Sequence, residues 1–351
     1  MRSPSPSFQC AESAPQVRVV LPTYNRQAIV SEAVHSVMQQ TYEDWELRII
    51  DDGSSDDTPE TLRRLAAADA RIHVTRQPNG GAAAARNVGL SLPGEHKFVA
   101  FIDADDLWRP WHLEEAMAVF SRHPQADAIF ARSETIDHVG KLDSKARAVR
   151  RKRMDAPRKL RIAWPTPTVV DEIFLDKRRL LTALLNEDIC PHTPTVVLRR
   201  ASLAGHRFPT HLIVLEDLQF WCELATAGLQ VAYLDRTHAT VRYFGDNLTM
   251  QRTLEDPTMV QTQESVFRFT LDKLRYCRTA EQRQLVRGLI ASRSYLLGQC
   301  YGTHRLRWRA ARTYFQGFRL SGNSLPLRGL LGAAFPDFIK RQVWRLLSLF
   351  A

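Results

Sequence analysis

The sequence predicts an α/β fold built on a mostly parallel sheet, followed by a C-terminal α-helical extension. Short β-branched segments alternate with helical segments from residue 17 to about 131. This alternation implies right-handed crossovers between parallel strands. Residues 98–102 are apolar without interruption, as expected of a strand that is buried on both faces. Beyond about residue 257 the apolar spacing is helical throughout.

Each element is predicted from a local pattern. Ile29, Ala33 and Val37 recur at a spacing of four and indicate the first helix. Asp57 as N-cap, with Pro59 in the first turn, begins the second helix. Strands are predicted at residues 17–21, 46–50, 72–76, 98–102, 127–131, 195–199, 231–234 and 240–244. Further helices are predicted at 82–91, from 110 onward, at 215–227, near 280–300 and 305–320, and at 338–350.

Composition and cysteine content narrow the class of protein. The 351 residues are 44% hydrophobic and 25% charged, which is typical of a globular chain. No apolar run reaches the ~18 residues of a membrane-spanning helix, and the N-terminus lacks the apolar core of a signal peptide. An odd number of cysteines without close pairing favours a reducing compartment and offers no zinc site. We therefore expect a cytoplasmic protein. The cysteines are Cys10, Cys190, Cys222, Cys277 and Cys300.

Positive charge is concentrated in two segments. Residues 141–161 hold ten Lys or Arg and two acids, and residues 257–351 hold sixteen and four, so the rest of the chain is net acidic. This argues against nucleic-acid binding and favours a catalytic body near an anionic surface such as lipid headgroups. We expect residues 1–16 to be disordered, 17–256 to form the catalytic domain and 257–351 a basic helical extension. The basic segment 141–161 is a solvated loop, or it folds over an acceptor or contacts lipid.

Turn-forming and acidic residues follow four successive predicted strands. Ligands on parallel sheets bind at the carboxyl ends of the strands, so these residues form the candidate site. The four segments are Pro22-Thr23-Tyr24-Asn25, Asp51-Asp52-Gly53-Ser54, Asn79-Gly80-Gly81 and Asp103-Ala104-Asp105-Asp106.

Each segment suits a different part of a nucleotide ligand. Asp103 and Asp105 can bind one Mg²⁺ or Mn²⁺ together with substrate phosphates, although an acidic turn can also be merely solvated. Asp51-Asp52 can accept from the N–H of a pyrimidine that stacks on Tyr24, unless that ring is a core aromatic. Gly80-Gly81 with Arg86-Asn87 can hold a diphosphate at a helix start or form a plain surface loop. No Walker or dinucleotide-binding glycine motif is present.

Four blocks carry a resemblance to a known family: residues 17–26 (VRVVLPTYNR), 49–58 (IIDDGSSDDT), 79–90 (NGGAAAARNVGL) and 98–110 (FVAFIDADDLWRP). They closely resemble family 2 glycosyltransferases over roughly residues 17–131, and more weakly to about 250. The resemblance implies a GT-A fold, a nucleotide-sugar donor, inversion at the anomeric carbon and a divalent cation, Mn²⁺ or Mg²⁺.

The resemblance also implies roles for individual positions. Asp217 matches the catalytic base in the acidic pair Glu216-Asp217, with Trp221 nearby; the alternative is an acidic helix start favoured by the helix dipole. The implied metal ligands are Asp105, Asp103 and Asp106. The implied nucleotide-sugar-binding residues are Pro22, Thr23, Tyr24, Asn25, Arg26, Asp52, Gly81, Arg86, Asn87, Asp103 and Ala104.

One position departs from the family pattern. Many relatives carry a metal-binding histidine where this chain has Phe244. We expect the cation to be held by aspartates, phosphates and water, or the alignment to slip locally, and we expect His238 to be structural.

The sequence thus predicts an inverting transferase that moves a sugar from a UDP-sugar to an acceptor hydroxyl. The expected acceptor is a saccharide, a lipid-linked molecule or a protein, in polysaccharide, glycolipid or glycoprotein assembly at the cytoplasmic side of a membrane. A sugar nucleotidyltransferase is disfavoured because no glycine-rich loop follows the first strand. A non-catalytic nucleotide-sugar-binding or scaffold protein is the remaining alternative.

Overall fold

A computed structural model of the protein describes residues 16–138, 156–162, 172–244 and 256–334. The strands are β1 (Val17–Thr23), β2 (Trp45–Asp51), β3 (Ile72–Arg76), β4 (Phe98–Phe101), β5 (Leu107–Trp108), β6 (Ala128–Asp137), β7 (Arg161–Ile162), β8 (Glu172–Leu175), β9 (Val197–Arg199) and β10 (Val231–Tyr243). The helices are α1 (Val30–Met38), α2 (Thr58–Ala68), α3 (Ala82–Ser91), α4 (His112–Arg122), α5 (Lys177–Leu185), α6 (Glu216–Thr226), α7 (Pro257–Tyr276), α8 (Ala280–Thr303), α9 (Arg307–Ser321) and α10 (Leu325–Ala334).

The described strands form one sheet in the order β3-β2-β1-β4-β9-β6-β10-β8-β7, with β5 paired to β10. Strands β3, β2, β1 and β4 are parallel, as are β6 and β10, while β9 joins β4 and β6 antiparallel to both. The predicted α/β class with a helical extension is confirmed. Because β1 to β4 run parallel, their carboxyl ends meet at one edge of the sheet.

Both faces of the sheet are covered, as the apolar composition of β4 predicts. Alternate residues of β4 belong to two separate hydrophobic clusters, with Val99 and Phe101 in one and Ala100 in the other. Helix α3 lies directly on β1, because a Cβ added to Gly89 would come within 2.5 Å of Val20 Cγ1. This close approach packs the last turn of α3 against the middle of β1.

Several element boundaries differ from the predictions. Strand β6 continues to Asp137 instead of ending at 131, and the two strands predicted at 231–234 and 240–244 are the single strand β10. Two register shifts between Leu234 and Ala239 interrupt the alternation in β10, which explains the predicted break. The Asp57 side chain does not cap α2; Asp56 Oδ1 instead accepts from the Thr58 backbone N–H at 3.0 Å.

The C-terminal helices α7 to α10 pack in succession, and α7 also contacts α6. Thr279 and Gln282 form a capping box that fixes the start of α8. No helix within the described ranges has the length and apolarity required to cross a bilayer. In the described part of the chain, Cys222, Cys277 and Cys300 are buried free thiols.

Some predictions fall outside the described residues: the disordered segment 1–15, the basic segment up to residue 155 and the helix at 338–350. The end of the basic segment is described. Residues Pro157–Leu160 form a 3₁₀ turn and Arg161 begins β7, while Arg158 forms an ion pair with Asp235 of β10.

Candidate functional site

Tyr24 lies at the rim of the sheet edge, immediately after β1. Its side chain is 46% exposed, which excludes the alternative of a core aromatic. Asn25 follows in the left-handed region, with φ of 51°. Its backbone N–H donates to Ser54 Oγ at 2.9 Å, so the loops after β1 and β2 are fixed to each other. An exposed ring on a fixed loop is suited to stacking on a base.

The Asp52 carboxylate fixes the loop after β3. One oxygen accepts from Gln77 Nε2 at 2.7 Å and from the Gly80 N–H at 2.8 Å, and the other accepts from the Gly81 N–H at 2.8 Å. A carboxylate has about four acceptor positions, so these bonds leave roughly one for a nucleobase. Gln77 was not predicted as a site residue, although it lies two residues before the Asn79-Gly80-Gly81 segment.

Two of the three predicted metal ligands, Asp103 and Asp105, lie together in the turn after β4. The side chains of Asp103 and Asp105 are 29% and 18% exposed, whereas Ala104 between them is buried. Arg26, from the loop after β1, brings its Nη2 to 3.8 Å from Asp105 Oδ2. The predicted nucleotide-binding residues after β1 and the acidic turn after β4 are therefore neighbours, as the strand order predicts.

Asp106, the third predicted metal ligand, is 4% exposed and bonds to the protein interior. Its Oδ1 accepts from the Arg242 backbone N–H of β10 at 3.0 Å, and Arg242 Nε donates to the Asp105 carbonyl at 2.6 Å. Burial, together with the charges of Asp105 and Asp103, raises the pKa of Asp106 well above its usual value. Arg242 was not predicted and no local motif indicates it.

Arg86 joins the acidic turn to the predicted catalytic pair. This 4% exposed side chain of α3 donates from Nη2 to Asp103 Oδ1 at 2.7 Å and from Nη1 to Glu216 Oε1 at 2.8 Å. Burial by itself would lower the pKa of Arg86, but the carboxylates of Asp103 and Glu216 raise it, so the guanidinium stays charged. Arg86 is thus a fixed positive charge between two predicted parts of the site.

Asn87, the next residue, holds the chain that leads into the predicted catalytic pair. Its Nδ2 donates to the Phe208 carbonyl at 2.8 Å, and its Oδ1 accepts from the Phe208 N–H at 2.8 Å. Both polar groups of one amide side chain are thereby used on one backbone position. Asn87 was predicted to line the donor site, and the structure shows it attached to protein backbone.

Glu216 and Asp217 begin helix α6, behind a strained residue. Leu215 has φ of 65°, a left-handed conformation that branched apolar residues adopt rarely and mostly at functional sites. Asp217 Oδ2 accepts from Thr193 Oγ1 at 3.2 Å. Burial and the neighbouring charge of Glu216 raise the pKa of Asp217 to about 7, against the opposing effect of Arg86. A carboxylate with this pKa is suited to accept a proton near neutral pH.

Trp221 and His238 lie outside this cluster of side chains, whereas the Phe244 ring lies 5.1 Å from the Arg242 guanidinium that bonds to the acidic turn. Trp221 is fully buried in an aromatic group with Phe101 and Phe208. Phe244 stacks on His138, with ring centroids 4.7 Å apart. His238 is structural, as expected: its Nδ1 is 3.1 Å from His112 Nδ1 in the interior, and burial lowers its pKa to about 3.

The donor set suits a hard divalent cation that also binds substrate. In the described part of the chain, no group of three or more His, Cys, Asp or Glu side chains is arranged to hold a metal by itself. Asp103 and Asp105 are partly exposed carboxylates, and Mg²⁺ or Mn²⁺ takes few protein ligands when phosphate oxygens supply the others. The residues present therefore fit a cation shared with a diphosphate.

Comparison with known proteins gives the family of the N-terminal part of the chain. Residues 18–185 match the family described as Glycosyl transferase family 2. The succinoglycan biosynthesis protein ExoW of Rhizobium meliloti is 29% identical over 94% of both chains. The glucosyltransferase WfgD of Escherichia coli, named for UDP-Glc and a GlcNAc-diphosphoundecaprenol, is 37% identical over 30% of this chain and 42% of its own.

Solved structures show the same fold at low sequence identity. TarS 1–349 of S. aureus, in complex with UDP-GlcNAc, aligns with a TM-score of 0.54 and 20% identity over 91% of this chain and 79% of its own. The mannosyltransferase PcManGT of Pyrobaculum calidifontis, with GDP-Man and Mn²⁺, aligns with a TM-score of 0.53 and 17% identity over 95% and 88%. Residues 18–185 thus form a family 2 glycosyltransferase domain, and the protein is a glycosyltransferase of the GT-A fold.

Proposed function

We propose that this enzyme transfers one sugar from a UDP-sugar to an acceptor hydroxyl, with inversion at the anomeric carbon. The observation that carries the proposal is the pair of hydrogen bonds from Arg86 to Asp103 and Glu216, which joins the proposed diphosphate-binding turn to the residue next to the proposed base, Asp217. An inverting transfer needs one base on the acceptor side and charge stabilisation on the leaving side. The two N–H ends of the Arg86 guanidinium would lie at these two places.

The donor would lie across the carboxyl ends of β1 to β4. Tyr24 would stack on the uracil, and Asp52 would accept from the base N–H through its remaining acceptor position. The loop after β3, which Asp52 holds, would present the backbone around Gly81 and the start of α3 to the diphosphate. Pro22, Thr23, Asn25 and Arg26 would complete the nucleoside side, as the resemblance implies.

Asp103 and Asp105 would hold Mn²⁺ or Mg²⁺ against the diphosphate, while Asp106 supports the turn from inside. Such a cation neutralises charge that builds on the departing nucleoside diphosphate. On the other side, Asp217 would take the proton of the acceptor hydroxyl. Burial and the negative charge of Glu216, which binds Arg86, raise the pKa of Asp217 to about 7, so that it can take up a proton near neutral pH.

The names of the relatives favour a role in polysaccharide or glycolipid assembly. ExoW is a succinoglycan biosynthesis protein, TuaG of Bacillus subtilis is a putative teichuronic acid biosynthesis glycosyltransferase, and WfgD is named for a lipid-linked diphosphate acceptor. We propose a saccharide or lipid-linked acceptor at the cytoplasmic side of a membrane.

A donor-binding experiment tests the site. We expect UDP to raise the melting temperature of the wild-type protein with Mn²⁺ but not with EDTA, and GDP to do so less. Asp105→Ala should lose the UDP effect, whereas Asp69→Ala, a partly exposed acid at the end of α2, should keep it. If UDP stabilised the wild type and Asp105→Ala equally, with and without metal, the proposed role of the cation would be contradicted.

A further inference from the structure

Helix α9 presents two large aromatic side chains to solvent. Trp308 is 89% exposed and Phe315 is 55% exposed. A spacing of seven residues puts both rings on the same side of a helix, and the exposed Arg312 and Arg319 continue that stripe. We call Trp308, Arg312, Phe315 and Arg319 the α9 outer face. Two large exposed rings on one side of a helix form an apolar patch of the kind that marks an interaction surface.

Packing fixes which side of α9 faces outward. Ala310, Tyr314 and Gly317 are buried on the opposite side. A Cβ added to Gly298 of α8 would come within 2.3 Å of Tyr314 Cε1, and one added to Gly329 of α10 within 2.2 Å. Neighbouring helices thus approach Tyr314 as closely as glycine permits. Helix α9 cannot rotate Trp308 inward without losing these contacts.

The sequence segment that carries this face has charge of one sign, and Glu264 of α7 pairs with Arg309 beside it at 3.7 Å. Residues 282–336 contain nine arginines, no lysine and no acidic residue. A second copy of the chain would bring the same positive charge against itself. Residues 335–351 of the chain, with three basic residues and one acid, are also net positive. Charge complementarity therefore calls for an anionic partner.

We propose that the α9 outer face binds an anionic lipid bilayer. Trp308 and Phe315 would lie at the boundary between headgroups and acyl chains, and Arg312 and Arg319 would contact lipid phosphates. Because Trp308 and Phe315 lie on the same side of α9, a helix lying in the plane of the bilayer would place both rings at the same depth. A nucleic acid is the less favoured partner, because the chain outside residues 141–161 and 257–351 is net acidic.

This proposal deepens the proposed function, since it names the surface on which a lipid-linked acceptor would be met. The two are nevertheless separable. Bilayer binding through α9 needs neither donor nor metal, and UDP binding at the strand ends needs no lipid.

Vesicle co-sedimentation of the full-length protein tests the surface. We expect binding to vesicles containing phosphatidylglycerol and little to pure phosphatidylcholine. Trp308→Ala/Phe315→Ala should lower the partition coefficient at least ~10-fold, because each ring contributes apolar burial. Arg312→Glu/Arg319→Glu should lower it by a similar factor or more. The matched control, Arg63→Glu/Arg178→Glu, makes the same charge change on α2 and α5.

The readouts separate success from failure. Loss of vesicle binding in both α9 variants, with the control variant and UDP-induced stabilisation unchanged, supports the proposal. Undiminished vesicle binding by the Trp308→Ala/Phe315→Ala variant overturns it. So does equal binding to neutral vesicles, a change of oligomeric state in the α9 variants, or tighter binding to an oligonucleotide than to anionic vesicles. A wild-type protein that binds vesicles but not UDP would contradict only the proposed function.

Discussion

Arg86 and Glu216 are joined by a 2.8 Å hydrogen bond, although 130 residues separate them in the sequence. The same guanidinium holds Asp103 at 2.7 Å. A planar fork with several N–H donors can reach two carboxylates at fixed separation, which a single ammonium group cannot do with the same geometry. Arg86 therefore sets the distance between the acidic turn and helix α6.

Arg86→Lys tests this bridging role. Lysine keeps the charge but loses the fork, so one of the two bonds must break. The loss of a hydrogen bond to a charged group costs ~1.5–3 kcal/mol, which corresponds to roughly a 10- to 100-fold lower kcat. Steady-state kinetics with a UDP-sugar as donor measure this change in kcat. Wild-type kcat in a folded Arg86→Lys protein would show that the bridge is not needed.

The pH dependence of kcat should report Asp217. A base with a pKa of about 7 is protonated and inactive below that pH, so kcat should rise roughly tenfold per pH unit up to about 7 and then level off. Glu216→Gln removes a neighbouring negative charge yet keeps an oxygen for Arg86. The pKa of Asp217 should fall, and the rising limb should move to lower pH. A limb that moves to higher pH would exclude Asp217 as its source.

The parts of the site that the sequence predicts are local. Strand periodicity and the turn residues after each strand are patterns that span only a few positions. They are therefore sufficient to predict that Tyr24, Asp52, Asp103 and Asp105 lie at one edge of the sheet. The resemblance added Asp217, whose segment has no such pattern and reads equally well as a helix start.

The long-range partners were not predictable in this way. The bonds of Asp106 to Arg242 and of Asn87 to Phe208 span 136 and 121 residues, and no local spacing records them. The irregular strand β10 was predicted as two strands for a related reason. Its register shifts depend on β6, the neighbouring strand, and not on its own alternation.

Asn87→Ala should destabilise the fold. It leaves the Phe208 N–H and carbonyl without their partner, and each unsatisfied group costs ~1–3 kcal/mol, so we expect a total of roughly 2–4 kcal/mol. Urea unfolding should show a lower midpoint with an unchanged slope. The control is Ser91→Ala in the same helix, an exposed hydroxyl expected to change stability by less than ~0.5 kcal/mol.

Asp217→Asn separates catalysis from stability. Without the proton acceptor, turnover should fall at least ~100-fold, while UDP binding at the strand ends is retained. The pKa of Asp217 is about 7 in the folded protein against 3.8 for an ordinary aspartate. Between pH 3.8 and about 7, Asp217 therefore binds a proton in the folded state that it has lost in the unfolded state. The free energy of unfolding of the wild type consequently falls as the pH rises through this range.

Asparagine carries no charge to bury, so the variant should escape this loss. Its melting temperature relative to the wild type should be higher at about pH 8 than at about pH 4, by the equivalent of ~1 kcal/mol or more. Asp69→Asn should show no such trend, because its pKa is lowered by the Arg71 side chain. Near-wild-type turnover would remove Asp217 as the base. A stability difference that is flat in pH would mean that Asp217 is not held in the environment from which its raised pKa arises.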